Sequence, residues 1–107
     1  MATSKTTADY ILEQLGGLDV SARRMFGDYC LYHKGKPIGL ICDDMLFIKI
    51  TQKGKEFVGD YYEEGFAYKG AKASMLIDDG RIEDREWLAE LVKITHDNLP
   101  ISKKRNK

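Results

Sequence analysis

Residues 38 to 50 read I-G-L-I-C-D-D-M-L-F-I-K-I, two apolar runs separated by a pair of aspartates, and no other stretch restricts the fold as strongly. Adjacent acids favour turns, where an aspartate side chain bonds its own backbone, so Asp43-Asp44 predicts a two-residue hairpin loop. That loop sets the register: Cys42 opposite Met45, Leu40 opposite Phe47 and Ile38 opposite Lys49. Side chains alternate along a strand, so Ile38, Leu40, Cys42, Met45 and Phe47 are expected on one face, with Lys49. Gly39, Ile41, Leu46, Ile48 and Ile50 fall on the other. Both faces are apolar, and apolar sheet surface is stable only out of water. One face therefore packs on the chain's own helices, and the other needs a further helix or another chain.

The remaining elements arrange themselves around this hairpin. Thr6–Leu15 reads as a helix, with Thr6 as cap, Asp9 three residues on as a capping-box partner, and Ala8, Ile11, Leu12 and Leu15 as its apolar stripe. Gly16-Gly17 is expected to end it in the left-handed conformation. Strands follow at Ala22–Phe26, Tyr29–His33, Pro37–Cys42 and Met45–Ile50, with a turn at Lys34-Gly35-Lys36. Thr51–Tyr62 is a middle helix that carries Phe57 and Tyr61 at i, i+4 and is weakened by Gly54 and Gly59. Phe66–Tyr68 and Ala73–Ile77 flank Lys69-Gly70-Ala71-Lys72 as a last hairpin, and Asp78-Asp79-Gly80 is a turn. Glu83–Asn98 closes the chain as a helix with the stripe Leu88, Leu91, Val92, Thr95, Leu99. The pattern predicts an α+β fold: an antiparallel sheet of short hairpin-connected strands with an N-terminal, a middle and a C-terminal helix. One domain is expected over residues 1–100, with a basic flexible tail at 101–107.

The chain has 107 residues, 17 basic and 17 acidic, enough for one modest core. Four of the basic residues, Lys103, Lys104, Arg105 and Lys107, sit in the last five positions. Taking four from 17 leaves 13 basic against 17 acidic residues, a body of −4, which is not the basic surface of a DNA-coating protein. Two cysteines are too few for a disulfide framework. No apolar stretch reaches the length of a signal peptide or a membrane span, so a cytoplasmic location with reduced thiols and no membrane partner is expected.

Few residues suggest chemistry. Cys30 and His33, three apart on a strand, point to opposite faces and so do not form a thiol–base pair. Cys30 reads as a buried, inert thiol, and a Cys30–Cys42 disulfide is the alternative if their strands are neighbours. The acid pairs Asp43-Asp44, Glu63-Glu64 and Asp78-Asp79 fit turns better than a metal site, which needs several converging ligands. Neither His33 nor His96 has ligand spacing of the H-E-x-x-H kind, and phosphate-loop, nucleotide and nucleophile-elbow motifs are missing. No cofactor, metal or catalytic residue is expected. Arg23 and Arg24 alternate with Ala22, Met25 and Phe26, as on a half-buried strand with one arginine pinned into a turn or helix end.

The run R-R-M-F-G-D-Y-C-L-Y at 23–32, G-L-I-C-D-D-M-L-F-I-K-I at 39–50, F-A-Y-K-G at 66–70, A-S-M-L-I at 73–77 and E-W-L-A-E-L-V at 86–92 together resemble the N-terminal domain of the TfoX/Sxy family. Those proteins are bacterial regulators of competence for DNA uptake. The resemblance implies a co-regulator acting beside a DNA-binding activator, with no catalytic residues to carry over. Full-length relatives have a second, helix-hairpin-helix-like C-terminal domain, so this chain is expected to be a stand-alone N-terminal form. Its function is then that of a non-catalytic protein-interaction module, with Ile38, Leu40, Cys42, Met45 and Phe47 as the surface for a protein partner or a homodimer. Two alternatives stand beside it. One is weak nucleic-acid binding through Arg23, Arg24, Lys103, Lys104, Arg105 and Lys107. The other is a small-ligand binder or enzyme with Tyr29, Tyr32, His33 and Cys42 in a cleft.

Overall fold

The computed structural model describes residues 4–25 and 27–99; the tail positions Lys103, Lys104, Arg105 and Lys107, and the flexibility expected of them, lie outside the described residues. Six strands, β1 (Val20–Met25), β2 (Asp28–His33), β3 (Lys36–Cys42), β4 (Met45–Ile48), β5 (Glu64–Phe66) and β6 (Ala73–Ile77), accompany four helices, α1 (Lys5–Gln14), α2 (Gln52–Val58), α3 (Asp79–Ile82) and α4 (Arg85–Asn98). The strands form one antiparallel sheet in the order β1-β2-β3-β4-β6-β5, so the fold is α+β with the three expected helices and one short addition. β1 and β5 are its edges.

The Asp43-Asp44 hairpin has the expected register, Cys42 opposite Met45 and Leu40 opposite Phe47. Both aspartates take left-handed backbone, φ 53° and 61°, as a primed two-residue turn requires. Asp44 also fastens α1 to this turn: its carboxylate accepts from the Ser4 N–H and the Thr7 hydroxyl, each at 2.9 Å. The Ser4 bond is the first reason that its carboxyl sits below the ordinary carboxylate value.

One face assignment is corrected. Leu31 of β2 opposes Gly39 but Tyr32 opposes Pro37, so Ile38 is an extra residue in β3. Such a bulge turns two successive side chains to the same face, and Ile38 goes into the helix-covered core, fully buried. Gly39 makes the kink feasible, because a Cβ there would fall on the Phe47 carbonyl oxygen. The core comprises Leu31, Ile38, Ile41, Leu46, Ile48, Met75 and Ile77 of the sheet against Ile11 and Leu15 of α1 and Leu88, Leu91 and Val92 of α4.

Other boundaries move for local reasons. Ser4, not Thr6, caps α1 by accepting from the Thr7 N–H, and Asp9 pairs with Lys5 at 2.9 Å instead of closing a capping box. Gly16 and Gly17 are not among the left-handed glycines, which are Gly27, Gly35, Gly59 and Gly70. The middle helix stops at Val58 because Gly59 turns to φ 58°, and a 3-10 turn covers Gly59–Tyr61. The last hairpin pairs Phe66 with Ala73, so β5 ends where the sequence pattern starts its strand. Asp78 caps the short α3 and Asp84 caps α4.

Candidate functional site: the outer face of the sheet

Helices cover one side of the sheet. On the other, the strands present Arg23 and Met25, then Asp28, Cys30 and Tyr32, then Leu40 and Cys42, then Met45 and Phe47, as the register of facing residues requires. On this side the 67–72 connection between β5 and β6 borders the sheet, and its Tyr68 lines a cavity together with Leu40. About 370 Å³ of cavity lies between Met25, Asp28, Tyr29, Leu40, Cys42 and Tyr68. A second hollow of about 670 Å³ shares Leu40 and Tyr68 and runs on past Cys30, Pro37 and Lys49.

The five residues assigned to this surface from the sequence separate by depth. Ile38 belongs to the opposite core. Phe47 is 2% exposed, with its ring across Gly65, where an added Cβ would come within 3.1 Å. Cys42 is buried at the floor of the smaller cavity, Leu40 is half-buried in both, and Met45 is exposed. Exposed Met25 and Tyr68, 43% and 60% accessible, line the smaller cavity beside Leu40 and Cys42. Their signals were present in the sequence, Met25 as an outward position of β1 and Tyr68 as an aromatic beside a turn, but only the tertiary path of the 67–72 connection brings them together.

Burial, and after it the carboxylate of Asp28, push the Cys42 thiol up to about 11. A thiol so raised is protonated near neutral pH and is a poor nucleophile or metal ligand. Both cysteines are free thiols. Of the proposed cleft residues, Tyr29 and Cys42 share a cavity, but His33 does not join them. Its Nδ1 lies 2.9 Å from the Asp19 carbonyl oxygen, and its ring stands edge-on to His96 at 5.0 Å. Tyr32 lines a separate shallow hollow with Ser21, Arg23 and Gly35. Among the described residues, no three His, Cys, Asp or Glu side chains are grouped to hold a metal, and no helix is long and apolar enough to cross a membrane.

Arg23 and Arg24 lie on opposite faces of β1, as alternation requires, and both are exposed. Neither is pinned into a helix end. Arg24 lies over the Tyr29 ring, 5.6 Å from its centre, with Nη1 3.4 Å from the phenol oxygen. Tyr61 is exposed with Arg81 4.3 Å above its ring, and Tyr62 donates to Glu64 at 2.7 Å.

The model of the TfoX N-terminal domain matches residues 11–99. The chain belongs to the TfoX N-terminal domain family. A relative of similar length, an uncharacterized 12.7 kDa protein in the trpE 5' region of Spirochaeta aurantia, is 37% identical over 106 residues, spanning 98% of this chain and 90% of the relative. The family is regulatory rather than catalytic. A protonated Cys42 thiol on the floor of an apolar hollow suits such a role, since it contributes packing and not reactivity.

Proposed function

We propose that this chain is a non-catalytic regulatory module of the kind found in competence and transcription co-regulators, working in the cytoplasm by binding a protein through the outer face of its sheet. The observation that carries this reading is exposed Met25 and Tyr68 lining a hollow with Leu40 and Cys42, with exposed Met45 opposite Cys42 on the next strand. Aromatic and methionine side chains around an apolar pocket are what protein interfaces are enriched in. The body's net acidity makes direct coating of nucleic acid the weaker reading.

The test uses the variants Met45→Asp and Tyr68→Asp, with circular dichroism to confirm the fold. In affinity capture from nuclease-treated bacterial lysate, the parent is expected to retain a protein that both variants lose. Equal capture by parent and variants would remove the outer face from consideration. Recovery that vanishes with nuclease would shift the role to Arg23, Arg24 and the basic tail.

A further inference from the structure

The two edges of the sheet carry opposite charge. β1, at one end of the strand order, is exposed along Arg23, Arg24 and Met25. β5, at the other end, begins at Glu64 directly after Glu63, and ends at Phe66, which is 65% exposed. The ion pairs among the described residues join Lys5 to Asp9, Lys93 to Glu90 and His96 to Asp97; Arg23, Arg24, Glu63 and Glu64 take no part in them. Every second residue of an edge strand turns its N–H and C=O outward, a ready template for another strand.

We infer that a second copy of this chain is the partner of the β1 edge, adding its β5 so that Glu63-Glu64 meets Arg23-Arg24 and the sheet continues from copy to copy. Charge decides between the alternatives. β1 with β1 brings four guanidinium groups into one short ladder, and the V-S-A-R-R-M strand has no carboxylate to answer them. β5 with β5 does the same with glutamates. Like charges facing each other across a ladder repel, and unlike charges attract. β1 with β5 alone matches both signs, and it sets the exposed Met25 and Phe66 beside the same charge cluster. In either strand direction two adjacent acids oppose two adjacent bases, so the matching does not depend on orientation. The contact is head to tail: each copy keeps one edge open, and assembly extends with concentration instead of stopping at a two-fold dimer. A three-residue strand offers few backbone bonds, so association is weak and salt-dependent.

The inference goes beyond the outer-face reading, and the experiment separates the two. Sedimentation velocity of the full chain over rising concentration is expected to show self-association that weakens with added salt. The double variants Arg23→Glu with Arg24→Glu, and Glu63→Lys with Glu64→Lys, are each expected to weaken it about tenfold, the sum of two exposed ion pairs. An equimolar mixture of the two variants, whose edges are again complementary, is expected to associate as the parent does. Circular dichroism establishes that both are folded. A parent that stays monomeric, variants that associate like the parent, or a mixture that fails to recover would each overturn the inference. Association lost in Met45→Asp and Tyr68→Asp but not in the charge variants would place self-contact on the outer face and leave the edges without this role.

Discussion

Gly39 and Cys42, three residues apart, show how much one position can decide. Gly39 admits the bulge that turns Ile38 into the core, because any side chain there would meet the Phe47 carbonyl oxygen. Cys42, at the end of the same strand, faces the other way, into the cavity beside Asp28. Its thiol is raised from 9.0 to about 11 by burial first and the Asp28 charge second, so near pH 8 its thiolate is about a hundredfold rarer than that of an ordinary cysteine. Iodoacetamide should therefore label Cys42 slowly in the folded protein and readily once urea is added, as mass spectrometry of the peptide reports. Rapid labelling of the native chain would mean an accessible thiolate and would reopen thiol chemistry. The linkage has a definite sign. A raised folded value means that the contribution of this thiol to stability is complete below pH 9.0 and is lost as pH climbs through about 11.

At the scale of elements, α4 is held both by burial and by a lysine at its end. Its apolar stripe Leu88, Leu91, Val92 and Thr95 is buried, and Lys36 closes its C-terminus by donating from Nζ to the His96 carbonyl at 2.7 Å and the Leu99 carbonyl at 3.1 Å. A cation there satisfies carbonyls that the helix leaves open and complements its dipole. The weak point is Thr95, whose hydroxyl is fully buried and meets no partner. A buried polar group without a hydrogen bond costs stability, and an apolar group of the same shape removes that cost. Thr95→Val is expected to stabilise by about 1 kcal/mol and to raise the melting temperature by about 4 °C, measured by calorimetry. A lower melting temperature would show that the hydroxyl has a partner, such as a bound water.

For the molecule as a whole, the two sides of the sheet differ in how they are closed. Helices seal one side; a short connection carrying Tyr68 borders the other. Phe47→Asp and Met45→Asp, two positions apart on the same face, should then behave differently. Phe47 is 2% exposed with its ring against Gly65 of β5, so a carboxylate there loses apolar burial and strands a charge, costing about 3 to 5 kcal/mol, a large share of a small domain's stability. Met45 is 39% exposed, and at such a position a substitution changes stability by about 0.5 kcal/mol or less. Urea denaturation of both distinguishes surface from core, and equal losses would mean that the face is sealed more completely than the exposure of Met45 indicates.

What the sequence determined by itself was whatever depends on neighbours in the chain. The hairpin register follows from two aspartates and a period of two, and the stripe of α4 from a period of 3.6. The Asp43-Asp44 turn depends on its own backbone, and the family is legible because its motifs are local runs. Tertiary structure decided what depends on distant segments. The bulge at Ile38 reflects its burial in the helix-covered core, stronger than strict alternation. Ser4 replaces Thr6 as cap because Asp44, forty residues away, draws the helix start to its turn. The hollow was only half legible for the same reason: Leu40 and Cys42 announce themselves as apolar strand residues, but Met25 and Tyr68 join them only through the tertiary path of β1 and the 67–72 connection. No local pattern encodes that path, because the free energy behind it comes from burying surfaces that are far apart in sequence.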